Sequence, residues 1–400
     1  MRIGILTFHS EINYGSVLQA LAMQTHLESM GHQVVIIDKY EDEGNPRLLG
    51  PFARKSLKFW LVYLLRACLL SGGFARLRRH IKTIRMIRKY LKRTPYHFCK
   101  WTDAPEDLGV DLISVGSDQV WNPIIVDPPD YLLKDVPVHV PGIAYAASIG
   151  QHELKEEWFL EYAEGFKRFR AIGVREAEAK RLVESTGSSA THVVDPTLLV
   201  DPEPCWERFV DRAKYPRPIL FCYLMTKGVY DVLPSFIKFA EAIGADVELF
   251  LDNQMLPVSL KTFQGFCKCC RLHKLLSNKH VRVRFSAAPD EFVAAVSRAT
   301  WVVTESFHGL MFATIFRKNV RIVLKRDDDV RGAMSSRLTE FADGIVKGPL
   351  IKETLDGALE SILRGETISY DEEVLGGRIT ASRKWLEKAI SMAVSKDGDR

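Results

Sequence analysis

The sequence is short of the features that mark several classes of protein. Its seven cysteines are odd in number and sparse for 400 residues, which disfavours a disulfide scaffold and is typical of a reducing compartment. The longest apolar stretch runs from Phe59 to Leu70 and contains Arg66, so it falls well short of the ~20 residues of a membrane-spanning helix. The opening segment, MRIGILTFHS, has no charged leader or cleavage site, and we therefore expect a cytoplasmic protein.

Three common ligand-binding patterns are also missing. The chain has no GxxxxGK(S/T) phosphate loop, no GxGxxG after its first strand and no HExxH zinc motif. Candidate sites must therefore be found from where polar segments fall relative to the predicted strands.

Acidic residues are absent from one long segment. Between residues 54 and 100 there are 14 lysines and arginines and no aspartate or glutamate, whereas the rest of the chain has 41 basic and 50 acidic residues. The pattern predicts two helices, Leu57 to Leu70 and Phe74 to Lys92. The second has an apolar stripe within cationic flanks, formed by Leu77, Ile81, Ile84 and Ile87. Two interpretations are open: the helix lies on the surface of an anionic membrane, or its stripe packs on the protein's own core. Aromatic residues are scarce in the charged run, so we expect no nucleic-acid partner.

What is present is a regular alternation of strand and helix patterns in a chain with 46% hydrophobic and 26% charged residues. Short β-branched runs predict strands, and the segments between several of them have helical periodicity. The predicted strands begin near Ile3, Gln33, Asp111, Ile143, Ile172, His192, Ile219, Asp246, Val281, Trp301 and Val320. Helices are predicted at Val17 to Met30, Leu233 to Ile243, Asp290 to Arg298, Gly309 to Phe316 and Ala381 to Val394. This alternation predicts two α/β, doubly wound units with parallel sheets.

The predicted domain boundaries follow from this alternation. The first domain covers residues 1–200 and carries the basic helical insertion at about 54–100. The second covers residues 201–375, and a helix at residues 376–400 crosses back to the first domain.

Two polar segments follow predicted strands of the first domain, where open α/β sheets bind ligands. Asn13-Tyr14-Gly15-Ser16 lies between the first strand and the first helix, and its glycine permits close approach of the backbone to an anion. Val115 to Pro123, which includes Asp118, Gln119 and Trp121, directly follows a predicted buried strand. Each segment has a structural alternative, since turns of this kind are often only hydrogen-bonded connections.

A third segment combines a histidine with a helix start. A strand ends at Thr304, a polar turn holds Ser306 and His308, and a helix is predicted from Gly309. An imidazole beside helix amides offers a general acid next to an anion site. The alternative is a structural histidine with its hydrogen bonds satisfied.

Two other patterns carry less weight. Cys267, Cys269 and Cys270 lack an evident fourth zinc ligand at the usual spacing, although His273 and His280 follow. The acidic run from Asp327 to Asp329 matches metal-dependent sugar transferases but is equally typical of a solvated loop. We therefore predict neither a metal site nor a resident cofactor.

The segments together resemble the polysaccharide pyruvyl transferase family. The similarity rests on GILTFHSEINYGSVLQALAMQTHL, DLISVGSDQVWNP, IAYAASIG, IGVREAEA, VVDPTLLV, VVTESFHGLMFATIF and SSRL, which run in order from residue 3 to about 338. The resemblance implies two Rossmann-like domains facing a cleft, as in the GT-B glycosyltransferases, with the site between them. It implies that a pyruvyl group from phosphoenolpyruvate is transferred to sugar hydroxyls, so that a pyruvate ketal forms and phosphate leaves. The acceptor would be a cell-surface polysaccharide or its lipid-linked precursor, at the inner face of the membrane.

The resemblance also assigns expected roles to residues. His308 would protonate the donor methylene, because histidine titrates near neutral pH. Arg175 and Arg337 would hold the donor's anionic groups, since arginine matches carboxylate and phosphate with its planar fork. The donor site would be completed by Ser306 and by the amides of Gly309 and Leu310. The acceptor or positioning residues would be Asn13, Tyr14, Gly15, Asp118, Gln119 and Trp121, the last as a sugar platform or as plain core.

The sequence departs from the family pattern at Glu305, where Asn or Thr is more usual. A carboxylate there would favour protonated His308 or repel an anionic donor. Two other functions stay open: a GT-B glycosyltransferase that uses a nucleotide-sugar, and a non-catalytic protein of glycan assembly.

Overall fold

The structure is a computed structural model that describes residues 1–9, 13–40, 73–126, 128–225, 229–251, 276–324 and 337–395. The chain forms two compact units. The first consists of Met1–Leu48, Ile84–Cys205 and Glu372–Arg400, and the second of Leu49–Thr83 and Trp206–Asp371.

The first unit is built on a six-stranded parallel sheet with the order β2-β1-β3-β4-β5-β6. Its strands are β1 (Arg2–Leu6), β2 (Gln33–Ile36), β3 (Leu112–Val115), β4 (Gly142–Ala147), β5 (Phe169–Val174) and β6 (Thr191–His192). All four residues of β3 and all six of β4 are buried, as expected for central strands covered on both faces.

The second unit also has a six-stranded parallel sheet, with the order β13-β11-β10-β7-β8-β9. Its strands are β7 (Ile219–Leu224), β8 (Asp246–Leu251), β9 (Val281–Val283), β10 (Trp301–Thr304), β11 (Asn319–Val323) and β13 (Ile351–Lys352). A small antiparallel pair joins β12 (Val346–Lys347) to β14 (Ser369–Tyr370). Both large sheets are doubly wound, so the predicted fold class of two Rossmann-like α/β units is confirmed.

Helices alternate with the strands along most of the chain. They are α1 (Tyr14–Ser29), α2 (Gly73–Tyr90), α3 (Glu156–Phe166), α4 (Ala177–Ser185), α5 (Pro196–Leu199), α6 (Pro202–Cys205), α7 (Val229–Ile243), α8 (Pro289–Arg298), α9 (Phe307–Ile315), α10 (Leu355–Leu363) and α11 (Glu372–Val394). Helices α1 and α9 are buried on nearly all sides, which explains why neither sequence has a marked polar face.

Helix α11 belongs to the first unit and packs on β4 and β5. Its Trp385 lies 6.1 Å from the ring of Tyr145, centroid to centroid. A Cβ atom on Gly173 would lie 2.8 Å from the Trp385 ring, so glycine is needed in β5 at this contact. The helix begins at Glu372, nine residues before the predicted start at Ala381. The sequence pattern missed this first part because Gly376 and Gly377 are poor helix formers.

Helix α2 contains the described part of the basic segment. Ile87 and Met86 are buried, at 1% and 4% exposure, whereas Ile81 is 37% exposed. Of the described stripe residues, Ile87 is buried and Ile84 is half-buried, so the stripe is only partly covered by the protein, and the exposed residues of α2 are mainly cationic. The predicted helix at Leu57 to Leu70, the CKCC cysteines and the acidic run at Asp327 to Asp329 lie outside the described residues. Within the described residues, no helix has the length and apolar character needed to cross a bilayer.

Candidate active site

Each sheet has a point where the strand order reverses, and such points are where open α/β sheets bind ligands. In the first unit it lies between β1 and β3, so the segments that follow these strands flank it. In the second unit it lies between β7 and β10, whose following segments contain Met225 and Glu305 to Gly309. The predicted site segments thus coincide with the two reversal points.

The start of α9 is fixed by two short side chains. The Ser306 hydroxyl accepts a hydrogen bond from the Gly309 amide at 3.4 Å and serves as the helix cap. The Thr304 hydroxyl accepts from the Ser306 amide at 3.0 Å and donates to the Tyr223 carbonyl at 3.1 Å. These bonds hold His308 in the first turn of α9, directly beyond the carboxyl end of β10. His308 is buried, with 8% of its surface exposed.

The Gly309 and Leu310 amides, which the resemblance assigns to the phosphate, both have partners at the start of α9. The Gly309 amide donates to Ser306 Oγ at 3.4 Å, and the Leu310 amide donates to the Ser306 carbonyl at 3.1 Å. Their contact with a phosphate stays a prediction. Gly309 also has a packing function, because a Cβ atom there would lie 2.2 Å from Thr304 Oγ1.

Glu305 joins the two strands at the second reversal point. Its carboxylate accepts a hydrogen bond from the Met225 amide, just after β7, at 2.8 Å, and the residue is 2% exposed. Its own amide donates to the Tyr223 carbonyl at 3.1 Å. The departure from the family pattern at this position thus supplies a brace between the ends of β7 and β10.

Arg337 lies in a helical stretch at residues 337–342 and is buried, with 6% exposure. Phe341 follows one turn later, and residues four apart share a helix face. The Phe341 ring lies 6.2 Å from that of Phe307, the neighbour of His308. The same face of this stretch is therefore directed toward the start of α9.

Asp118 is the central polar residue at the first reversal point. Its φ of 74° is uncommon for a residue other than glycine, and such backbone conformations cluster at functional sites. The Ser16 hydroxyl donates to Asp118 Oδ2 at 2.8 Å, which ties α1 to the segment after β3. Gly116, with φ of 95°, permits the turn, because a Cβ atom would lie 2.7 Å from the Tyr145 carbonyl oxygen.

Arg175 is surrounded by carboxylates of its own unit. Its guanidinium nitrogens lie 3.0 Å from Asp195 Oδ2, 3.4 Å from Glu176 Oε1 and 3.7 Å from Asp118 Oδ1. Burial alone would lower the pKa of Arg175, but the three carboxylates together raise it. The side chain is 1% exposed. In this structure Arg175 is engaged by these carboxylates and orients Asp118, and its expected contact with the donor stays a prediction.

The remaining predicted residues of the first unit divide by function. Asn13 caps α1, since its Oδ1 accepts from the Gly15 amide at 2.8 Å. Tyr14 and Gly15 are buried in the first turn of that helix. Gln119 Oε1 accepts from Asn122 Nδ2 at 2.7 Å, and this pair packs against Gly150.

Trp121 belongs to the core. The residue is 0% exposed, its indole nitrogen donates to the Tyr131 carbonyl at 3.1 Å, and its ring packs edge-on against Phe166 and Phe169. A sugar cannot stack on a ring covered in this way, which corrects the platform interpretation.

Sequence reasoning missed the partners that organise the first reversal point. Asp195 binds Arg175 and also caps α5 through the Thr197 amide at 3.0 Å. The sequence signal for it was Asp195-Pro196, since an acidic cap before a proline marks a helix start. Among the described residues, no group of three or more His, Cys, Asp or Glu side chains is placed to hold a metal ion.

The comparison with known families covers most of the chain. The family model for polysaccharide pyruvyl transferases matches residues 13–325. The two parallel, doubly wound sheets define an α/β protein of two Rossmann-like units. This chain belongs to the polysaccharide pyruvyl transferase family. No curated protein matches the chain.

Solved structures with similar folds are distant in sequence. A UDP-N-acetylglucosamine 2-epimerase from Rickettsia bellii has a TM-score of 0.50 at 10% identity, covering 98% of this chain and 95% of its own. A UDP-GlcNAc 2-epimerase from Methanocaldococcus jannaschii has a TM-score of 0.45 at 10% identity, with 91% and 99% covered. A glycosyltransferase from Rickettsia africae has 0.43 at 11%, with 99% of each chain covered. At 10% identity, the similarity to the Rickettsia bellii enzyme shows a shared fold.

Proposed function

We propose that the protein transfers a pyruvyl group from phosphoenolpyruvate onto two hydroxyls of a sugar and forms a pyruvate ketal. The observation that carries this proposal is the position of His308, buried in the first turn of α9 at the second reversal point. Family membership supports the same reaction class.

The donor has a phosphate and a carboxylate, and both need positive partners. The start of a helix attracts anions because its amides point outward along the helix dipole. The first turn of α9 carries no acidic residue. The planar guanidinium of Arg337 can pair with a carboxylate or phosphate through two hydrogen bonds. Because Arg175 is engaged by carboxylates of its own unit, Arg337 is the principal arginine that binds phosphoenolpyruvate in this proposal.

The chemical steps assign His308 the proton transfer. Its imidazolium gives a proton to the donor methylene carbon, which makes the adjacent carbon electrophilic, and one sugar hydroxyl oxygen attacks that carbon. The attacking hydroxyl returns a proton to the imidazole. A second hydroxyl oxygen then attacks the same carbon, the bond to the phosphate oxygen breaks, and phosphate leaves with the second proton. General acid catalysis of this kind contributes about 10²- to 10⁴-fold.

The residues of the first reversal point would serve the acceptor. Asp118 is held by Ser16 and Arg175 in a fixed orientation, and a carboxylate is a natural acceptor for sugar hydroxyl protons. Gln119 follows Asp118 in the segment after β3, and Asn13 caps α1 in the segment after β1. The acceptor is a cell-surface polysaccharide unit or its lipid-linked precursor.

The donor is the first part of the proposal to test. A ligand that binds only the folded protein raises the midpoint of thermal unfolding. We expect phosphoenolpyruvate to raise it for the wild type and for His308→Gln, but not for Arg337→Ala. The exposed Arg212, 77% exposed at its side chain, provides the matched control Arg212→Ala, which keeps the response.

Two outcomes of this experiment contradict the proposal. Stabilisation by a nucleotide-sugar such as UDP-GlcNAc without any response to phosphoenolpyruvate would favour glycosyl transfer. A response to neither ligand, in a protein that unfolds cooperatively, would favour the non-catalytic alternative.

The proposed location is the cytoplasmic face of the membrane, with α2 as the contact. Arg85, Arg88 and Lys89 are exposed on this helix, and among the described residues neither arginine forms an ion pair. Because Met86 and Ile87 are buried, the contact is electrostatic and does not require insertion into the bilayer.

Co-sedimentation with vesicles tests this contact. Binding to vesicles that contain phosphatidylglycerol should weaken with added salt and in Arg85→Glu/Arg88→Glu. The charge-matched control Arg212→Glu/Lys214→Glu should bind as the wild type does. Equal binding to neutral vesicles would contradict an electrostatic contact.

A further inference from the structure

His9 is a fully buried histidine just beyond β1, with 0% of its surface exposed. Both of its ring nitrogens face oxygen atoms. Nδ1 lies 3.1 Å from the carbonyl oxygen of Thr7, and Nε2 lies 2.8 Å from Oδ1 of Asp38, which follows β2. Both distances are those of hydrogen bonds.

The two oxygens constrain the protonation of the ring. A carbonyl oxygen only accepts hydrogen bonds, and so does an ionised carboxylate. Neutral histidine carries one ring proton, so either neutral tautomer would leave a nitrogen lone pair facing an oxygen lone pair. Both bonds form together only when both ring nitrogens carry protons.

The alternative location for the second proton is the Asp38 carboxyl, and its surroundings disfavour that. Arg93 Nη1 lies 3.0 Å from Asp38 Oδ2, and the Tyr40 hydroxyl donates to the same oxygen at 3.4 Å. A nearby guanidinium and a hydrogen-bond donor both stabilise the ionised carboxylate. Lys39 does not add its charge to this group, because it pairs with Asp130 at 2.7 Å.

Thr7 connects this group to the first reversal point. While its carbonyl faces His9, its hydroxyl donates to the Ser117 carbonyl at 2.8 Å. Gln19 completes the connection, since its Nε2 donates to Thr7 Oγ1 at 2.9 Å and its Oε1 accepts from the Ser117 amide at 3.2 Å. Ser117 immediately precedes Asp118, the central polar residue of the site.

We propose that His9 is a buried imidazolium, paired with Asp38, that positions the turn from Gly116 to Asp118 through Thr7. It is a positioning residue, since its exposed fraction of 0% keeps it from any substrate. The inference rests on the proposed function only for what this turn binds. Its test measures protonation and hydrogen exchange without turnover, so the two proposals fail separately.

The first measurement is nuclear magnetic resonance of the full-length protein labelled with ¹⁵N in its histidine rings. The wild type should show two protonated ring nitrogens for His9 at neutral pH, with His9→Gln providing the assignment. Asp38→Asn removes the carboxylate and should return His9 to a single protonated nitrogen. A wild-type His9 with one protonated nitrogen overturns the proposal.

The second measurement is amide hydrogen exchange at Ser117. Because loss of a charged hydrogen bond frees Thr7, exchange at Ser117 should become about tenfold faster in His9→Gln. The exposed His139 provides the matched control His139→Gln, and amides of β10 in the other unit report on global stability. Unchanged exchange at Ser117 overturns the positioning step, and Asp38→Asn provides the same comparison if His9→Gln does not fold.

Discussion

At the carboxyl end of the first sheet, charged groups neutralise one another: Arg175 lies within 3.7 Å of three carboxylates. At the carboxyl end of the second sheet, the His308 ring lies 5.6 Å from that of Phe307, and Phe307 contacts Phe341, which follows Arg337 by one helical turn. In the first unit, Arg175 fixes the orientation of Asp118. In the second unit, we propose that Arg337 binds phosphoenolpyruvate. The carboxylates around Arg175 thus indicate a task for it that the resemblance alone did not suggest.

The largest effect should follow from removing the buried guanidinium of the first unit. Arg175→Met leaves three carboxylates without their shared cation, so we expect a loss of about 3–5 kcal/mol in the free energy of unfolding. Urea denaturation followed by circular dichroism measures it. The exposed counterpart Arg212→Met should stay within about 0.5 kcal/mol of the wild type. A similar small change for Arg175→Met would mean that the ion pairs contribute little.

The second unit should respond in activity rather than stability. His308→Gln removes the proposed proton donor, so phosphate release from phosphoenolpyruvate with a glycan acceptor should fall at least about a hundredfold. The thermal midpoint should change little, because glutamine is polar and similar in length. Substantial residual turnover would exclude His308 from proton transfer.

The start of α9 provides a smaller, steric test. A Cβ atom at Gly309 would lie 2.2 Å from Thr304 Oγ1, so Gly309→Ala should lower stability by about 1–3 kcal/mol. In α11, a Cβ atom at Gly376 would meet no neighbouring atom within 4 Å, and Gly376→Ala should be neutral or stabilising by up to about 1 kcal/mol. Equal effects in thermal unfolding would refute the packing function of Gly309.

The smallest expected difference between the two units is in how acidic pH lowers their stability. Burial, followed by the charge of Arg383, lowers the pKa of His26 in the first unit from 6.5 to about 4. Hydrogen bonds from Ser361 and Arg364 lower the pKa of Glu366 in the second unit from 4.5 to about 2. Both groups bind protons less readily when folded, so both contribute stability that is lost as the pH falls.

The two losses should occupy different ranges. The His26 contribution disappears between pH 6.5 and about 4, and the Glu366 contribution between pH 4.5 and about 2. Urea midpoints measured across this range should flatten in the upper part for His26→Gln and in the lower part for Glu366→Gln. Parallel curves for the two variants would contradict the assignment.

The sequence was sufficient for the fold because the strands are locally encoded. The β-branched run at Trp301 to Thr304 and the apolar run at Ile219 to Leu224 predict β10 and β7 without any tertiary information. The segment after β10 was likewise recognisable, because a polar turn between a strand and a helix places its side chains at the sheet's edge.

The partners of Arg175 could not be predicted in the same way. Asp118 and Asp195 lie far from it in the sequence, and ion pairs between distant segments have no local pattern. The task of Gly309 was hidden for another reason, since only its packing against Thr304 in three dimensions distinguishes it from a glycine that serves a ligand. The resemblance to a family named the residues, but their surroundings determine what each one does.

The contact of α11 with the first sheet has a consequence for how the protein is made. Ser382 accepts from the Val194 amide at 3.0 Å, beside Asp195, and Arg383 donates to the Leu199 carbonyl. A ribosome synthesises β1 to β6 long before it reaches these residues. The face of β4 and β5 that α11 covers therefore stays exposed until the second unit has been translated. A nascent chain that ends before Trp385 would expose this face.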